Sequence, residues 1–420
     1  MKYILVIGDG MADTGLAQLA GKTPLEALAL PSFDRVAGCA AGRVLTVPYG
    51  LPAGSDTAIL SIFGYAPQTY YTGRSVLEAA GMGMVLPEGS VSLRINLCAV
   101  LPGNNGELTI HSHNGGGIHG EDARLLMQAL MEDAVFAKYM EESLLHIQVT
   151  ESFRHIGVLC PKAPLELACL CLTEPHNVLM QPIEAYLPRL VQEGNEATAA
   201  LGSQIRKMML RSYEVLKEHP INVKRMAEGK LPANMIWPWG AATAMDLPSF
   251  ESLFGHSGMV VSAVPLVWGI AALAGLDTPR VQGANGELDT NYEGKADAVV
   301  EGLLGGGYDF AAVHVEAPDE MAHAGDLAGK LEAVQNVESR VVARILDQMS
   351  QSGEDFRLLL LSDHPTLLTT RMHDGSPVPY GIFDSRIEGA AKRKFCEAEM
   401  AGEPVLMDGT ELLRILFEQR

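Results

Sequence analysis

Asp319 and His323, four residues apart, and Asp363 with its neighbour His364 are the parts of this sequence best suited to holding a metal ion. If 319–323 is helical, that spacing places carboxylate and imidazole on one face, and Pro318 favours a helix beginning there. A helix start merely capped by Asp319 is the plain alternative. Carboxylate plus imidazole is a borderline ligand set that suits Mn²⁺ or Zn²⁺. Asp363 and His364 follow Ser362 and the leucines 358–361. A charged pair directly after a buried strand is poorly explained as solvent-facing decoration. Asp9, in Gly8-Asp9-Gly10, also ends an apolar run, and His373 stands in the loop-like Arg371-Met372-His373-Asp374. Asp9, Ser55, Asp319, His323, Asp363, His364 and His373 together supply enough ligands for two divalent ions. Two such ions can hold a phosphoryl group between a nucleophile and a leaving oxygen.

The nucleophile expected is Ser55, in Pro52-Ala53-Gly54-Ser55-Asp56-Thr57-Ala58, ahead of a helix-like run. A serine there can be only an N-cap. As a nucleophile it would gain from a helix N-terminus, which favours both phosphate and alkoxide. No histidine–aspartate relay is apparent beside it, so metal coordination is the natural activator.

The elements that must position these residues are short apolar runs at 3–7, 259–264, 310–315 and 358–361, read as strands covered on both faces. Helical patterns lie between them. The clearest is 331–349, with Val334, Val337, Val341, Ile345 and Leu346 on one face. Alternating strands and helices predict an α/β fold with a doubly wound, mostly parallel sheet. From about 90 to 240 the pattern turns irregular. Asn104-Asn105-Gly106 signals a hairpin, and a helix over 197–216 stops before His219-Pro220. Site-bearing segments flank this region, so the outer parts must meet. The expectation is a metal-binding catalytic core of 1–89 plus 241–420, with an inserted α+β domain at 90–240.

The formal charge of -20 argues against sequence-independent nucleic-acid binding, which needs clustered Lys and Arg. A small anionic substrate met by local arginines stays open. None of the 6 cysteines forms a C-x-x-C pair, so buried reduced thiols are expected. The apolar stretch 3–7 is too short for a signal sequence, and no run reaches membrane-spanning length. A soluble, cytoplasmic protein is expected.

Six stretches carry a resemblance over nearly the full length: Ile7-Gly8-Asp9-Gly10-Met11-Ala12-Asp13, Gly21-Lys22-Thr23-Pro24-Leu25-Glu26-Ala27, Gly54-Ser55-Asp56, Tyr71-Thr72-Gly73-Arg74, Arg94-Ile95-Asn96-Leu97 and His314-Val315-Glu316-Ala317-Pro318-Asp319. They resemble the motifs of the archaeal-type cofactor-independent (2,3-bisphosphoglycerate-independent) phosphoglycerate mutases of the alkaline phosphatase superfamily. The resemblance implies an alkaline phosphatase-like core carrying an inserted substrate-binding lid domain. It implies a phosphoserine intermediate on Ser55. One metal would be held by Asp9, Ser55, Asp363 and His364, and the other by Asp319, His323 and His373. The reaction implied is the isomerase step of glycolysis and gluconeogenesis that interconverts 3-phosphoglycerate and 2-phosphoglycerate. Mn²⁺ is the first expectation, with Mg²⁺ or Zn²⁺ as alternatives.

Such a substrate carries a carboxylate and a phosphate dianion, so arginines are expected. Arg74, Arg94 and Arg154 are the candidates. His113, in His111-Ser112-His113-Asn114, resembles a substrate-touching histidine motif of the longer mutases. One segment departs from the family. Where archaeal mutases often carry Pro-Arg-Gly, this chain has Trp237-Pro238-Trp239-Gly240. A bacterial subgroup with a similar segment has been proposed to be homoserine kinases. Homoserine phosphorylation, or phosphatase activity at the same site, therefore stands beside the mutase at this point.

Overall fold

The computed structural model describes residues 1–103, 106–387 and 392–418. The chain divides into one unit of Met1–Tyr71 with Met245–Arg420 and a second of Thr72–Ala244.

In the first unit, every residue of strand Phe356–Leu361 is buried, including Leu358 to Leu361. Alternate side chains point to opposite faces, so this strand needs cover on both sides. It has that cover because it sits inside a sheet of seven. The strand order is Gly258–Val261, Phe310–Val315, Lys2–Gly8, Phe356–Leu361, Val378–Asp384, Ala40–Val44, Val405–Leu406. Only Val378–Asp384 runs against its neighbours. The fold is thus α/β with a mostly parallel sheet, as the buried apolar runs predicted. The strand expected at 259–264 ends earlier, at Val261, because Val264 is already the N-cap of helix Pro265–Leu273.

The expected helix at 331–349 is longer. Leu327–Asn336 runs through a π-helical turn, Val337–Val342, into Ala343–Ser352. Val334, Val337, Val341, Ile345 and Leu346 all enter the core that covers Ile4, Val6, Leu358 and Leu360 on one sheet face.

The second unit is built on antiparallel pairing. Val91–Pro102 pairs with Leu108–Ser112, Arg154–Leu159 and Met235–Thr243, and Leu145–Gln148 adds to Arg154–Leu159. Helix Glu196–Leu216 matches the run read at 197–216, and His219 caps the next helix, Pro220–Ala227. The expected hairpin has its two strands, but Asn104 and Asn105 lie outside the described residues. The unit begins at Thr72 rather than at 90. Helix Arg74–Gly81 belongs to it because Ala79 packs on Ile156 and Val158, and Ser75 Oγ bonds Ser92 Oγ (2.8 Å) and the Gly240 carbonyl (2.7 Å).

The cysteines are free, but not all are buried: Cys160 is exposed, and Cys39 and Cys171 are half-buried. Among the described residues no helix is long and apolar enough to cross a membrane.

Candidate active site

Strands Lys2–Gly8 and Phe356–Leu361 are parallel, with Ile7 opposite Leu361. Asp9 and Asp363 each come two residues later, so the register alone delivers both carboxylates to the same sheet edge. The Gly10 amide donates to Asp363 Oδ1 at 3.1 Å. Gly10 has φ +61, and a Cβ there would lie 2.7 Å from Asp319 Oδ1 and Thr366 Oγ1. Only glycine suits a left-handed residue this close to its neighbours. On the other side, strand Phe310–Val315 feeds helix Ala317–Ala324, which carries Asp319 and His323 at i and i+4. Glu316, not Asp319, occupies the N-cap position, so the capping alternative for Asp319 does not hold.

Ser55 is the first residue of helix Ser55–Ile62, and Gly54 is its N-cap. The hydroxyl therefore does not cap the helix. Ser55 Oγ lies 3.3 Å from Asp9 Oδ2 and 3.2 Å from His364 Nε2. Two sets of potential ligand atoms meet at His364: Asp9, Asp363 and His364 in one, and Asp319, His364 and His373 in the other, each within 4.8 Å of one another. His323 joins the second set, with Nε2 3.2 Å from Asp319 Oδ2 and 2.8 Å from His373 Nε2. His364 touches both sets, whereas the family resemblance gave it to one.

Asp9 Oδ1 and Asp363 Oδ2 are buried with no hydrogen-bond partner among the described residues. His364 Nε2 lies 3.8 Å from the first and 3.3 Å from the second. Two bare carboxylate oxygens and an imidazole nitrogen thus face one point. Leaving buried acceptors bare is costly, and a divalent cation would satisfy them at once. The donor set fits such an ion.

The electrostatics agree. Burial, and after it the carboxylates of Asp363, Asp319 and Glu316, push the Asp9 carboxyl well above its ordinary value. The hydrogen bond to Asp319 lifts His323 to about 9. His373 is raised as well, since Asp319 outweighs the effect of burial. Burial would raise Asp319, but His323, His373 and His364 overcome it and hold the carboxyl well below the usual range. Two imidazole nitrogens 2.8 Å apart must share a proton or a cation.

In the second unit, Arg94 and Asn96 alternate on one face of their strand, with Trp239 opposite Arg94 and Arg154 opposite Asn96. Arg94 is paired bidentately with Glu78 (3.1 and 3.0 Å) and stacks on Trp239 at 4.4 Å. Arg74 Nε reaches the same Glu78 at 3.1 Å. Arg154 differs. Its Nε is buried with no hydrogen-bond partner among the described residues, and desolvation and the nearby Arg94 bring it down to about 10. His113 adjoins the group through Asn96, whose Nδ2 donates to its carbonyl at 2.9 Å. The structure thus gathers the four candidates of this unit around one strand face: Glu78 accepts hydrogen bonds from Arg94 and Arg74, while Arg154 Nε has no acceptor among the described residues.

Some residues that shape the site escaped the sequence reading. His314, inside an apolar strand, places Nε2 2.9 Å from Asp9 Oδ2. Thr366 Oγ1 donates to Asp319. Lys330 is buried in the middle of a helix against Asp13. The available signal was an ionisable residue at a core-facing position, which is rare without a partner.

A family model described as 2,3-bisphosphoglycerate-independent phosphoglycerate mutase matches residues 37–222. The chain is 40% identical over 423 residues to the 2,3-bisphosphoglycerate-independent phosphoglycerate mutase of Methanosarcina barkeri, with 100% of each chain covered. It is 39% identical over 426 residues to the probable enzyme of that name from Geobacter sulfurreducens, again with 100% of each covered. Among solved structures, the PH0037 protein from Pyrococcus horikoshii has a TM-score of 0.78 at 26% identity, covering 100% of this chain and 98% of that one. The cofactor-independent phosphoglycerate mutase from Thermoplasma acidophilum has a TM-score of 0.66 at 21% identity, covering 99% of each, and so shares the fold. With full-length relatives at this identity, the chain belongs to the 2,3-bisphosphoglycerate-independent phosphoglycerate mutase family.

Proposed function

We propose that this chain interconverts 3-phosphoglycerate and 2-phosphoglycerate through a phosphoserine at Ser55. The observation that carries the reading is the place of Ser55 Oγ, 3.3 Å from Asp9 Oδ2 and 3.2 Å from His364 Nε2, at the head of a helix. Two divalent ions, Mn²⁺ first, would be held by Asp9, Ser55, Asp363 and His364 and by Asp319, His323 and His373. Bound there, they would lower the pKa of the serine hydroxyl and neutralise charge on the phosphoryl oxygens.

Ser55 Oγ forms its bond to phosphorus as the bond from phosphorus to the substrate oxygen breaks. The hydroxyl proton passes to Asp9 Oδ2, the nearest carboxylate oxygen, and is handed on to the departing substrate oxygen, which leaves as a hydroxyl. The reverse sequence delivers the phosphoryl group to the neighbouring hydroxyl, so atoms and charge balance over the cycle. The helix N-terminus at Ser55 favours the dianion. In the second unit, Arg74, Arg94, Arg154 and His113 are the substrate-binding residues proposed. Arg154 is the foremost, since its buried Nε has no hydrogen-bond partner among the described residues.

The names carried by the full-length relatives support a mutase over the homoserine kinase and phosphatase readings. An enolase-coupled assay on Mn²⁺-loaded protein, with no 2,3-bisphosphoglycerate added, tests it. Turnover of 3-phosphoglycerate is expected. Two bound metals without turnover would overturn the proposal.

A further inference from the structure

The Asp9 carboxylate has two unlike oxygens. Oδ2 lies 2.9 Å from His314 Nε2 and 3.3 Å from Ser55 Oγ, whereas Oδ1 has no hydrogen-bond partner among the described residues. A carboxylate free to rotate would exchange them. What fixes it is traceable through three residues. The Val264 amide donates to Ser262 Oγ at 3.1 Å, and that oxygen lies 3.2 Å from His314 Nδ1. The Ser262 hydroxyl hydrogen is then free to point at Nδ1. A lone pair on Nε2 facing a carboxylate would be repulsive, so the proton of the neutral ring sits on Nε2 and is donated to Asp9. The imidazole is itself held. Ile7 stands opposite His314 in the sheet, Lys295 Nζ contacts the His314 carbonyl at 3.3 Å, and the ring is almost wholly buried.

We propose that His314, locked by Ser262, is a positioning residue that turns Asp9 so that Oδ1 is presented to a metal ion and Oδ2 to the Ser55 hydroxyl. This rests on the two-metal reading above. A neutral donor suits the task. A lysine or arginine in its place would neutralise Asp9 and compete with the cation, while an apolar residue would leave the carboxylate to rotate. Groups that orient a ligating carboxylate commonly contribute 10–100-fold to metal affinity.

The test is a calorimetric Mn²⁺ titration of metal-stripped full-length protein, with the far-ultraviolet spectrum of each variant checked first. In His314→Leu, one of two binding events should weaken by about 10–100-fold while the other stays within a few-fold. His314→Gln, which keeps an N–H near the Nε2 position, should recover most of that loss. Unchanged Mn²⁺ binding in His314→Leu overturns the proposal, and so does equal weakening of both sites. Should His314→Leu fail to fold, Ser262→Ala carries the test, with several-fold weakening confined to one site expected and wild-type binding overturning it. These titrations need no turnover. Wild-type protein that binds two Mn²⁺ but does not isomerise phosphoglycerate would sink the mutase and leave this inference standing.

Discussion

Lys330 Nζ lies 2.8 Å from Asp13 Oδ2, and neither side chain has any solvent exposure. The same ammonium donates to the Thr366 carbonyl at 2.7 Å and the Ala12 carbonyl at 3.3 Å. Asp13 Oδ2 also accepts from the Leu368 amide at 3.2 Å. One buried ion pair therefore ties together the segment after Asp9, the segment after Asp363, and the helix that follows His323. Removing one partner of such a pair strands the other charge in a dry interior, at a cost of about 3–5 kcal/mol. Lys330→Ala should lower unfolding stability by about that much. Lys330→Met with Asp13→Leu should lose much less. Urea denaturation of the metal-free proteins reads both.

Ser55→Ala removes one oxygen and leaves Asp9, Asp363 and His364 in place. It should fold, still bind two metals through the remaining ligands, one of them more weakly, and lose mutase turnover by at least about a thousandfold. The coupled assay beside metal analysis of the same sample checks it. Activity within a few-fold of wild type would remove Ser55 as nucleophile.

Much of this was legible from the residues. Asp9, Asp363 and Asp319 were found because each follows an apolar run, and parallel strands in register bring such positions to one edge. Ser55 was legible only jointly with them, because an N-cap serine looks the same in sequence. The structure resolves that ambiguity through Gly54, which takes the cap position. His314 and Lys330 were hidden for a physical reason. Their partners, Asp9 and Asp13, lie more than 300 residues away in sequence, and no periodicity encodes a contact between distant segments. The place of helix Arg74–Gly81 in the second unit is hidden for the same reason. Its fixing contacts, from Ser75 to Ser92 and to Gly240, are long-range.

His323 titrates at about 9 in the metal-free protein because Asp319 accepts its hydrogen bond. The folded value lies above the unfolded value of about 6.5, so its contribution to stability is full below that pH and disappears as pH rises through about 9. Metal-free protein should therefore melt at progressively lower temperature between about pH 6.5 and 9. Metal affinity should run the opposite way, because an imidazole must shed its proton before it can ligate. Mn²⁺ titrations in buffers of different ionisation heat should show proton release that shrinks towards pH 9. His323→Ala should reduce that release and weaken one site, with excess Mn²⁺ partly restoring activity.

Asp9 presents the reverse case. Its carboxyl is raised by burial and then by Asp363, so in the metal-free protein the ionised form is disfavoured by folding. An acid whose folded value exceeds its unfolded value destabilises increasingly as pH climbs past the unfolded value. Asp9→Asn removes the charge and keeps an acceptor for His314. Without metal it should therefore melt at higher temperature than wild type at pH 7, by a few degrees. With saturating Mn²⁺ the order should invert, since wild type gains binding energy that the variant has lost. A wild-type protein more stable than Asp9→Asn both with and without metal would mean that the two carboxylates do not repel as their placement requires.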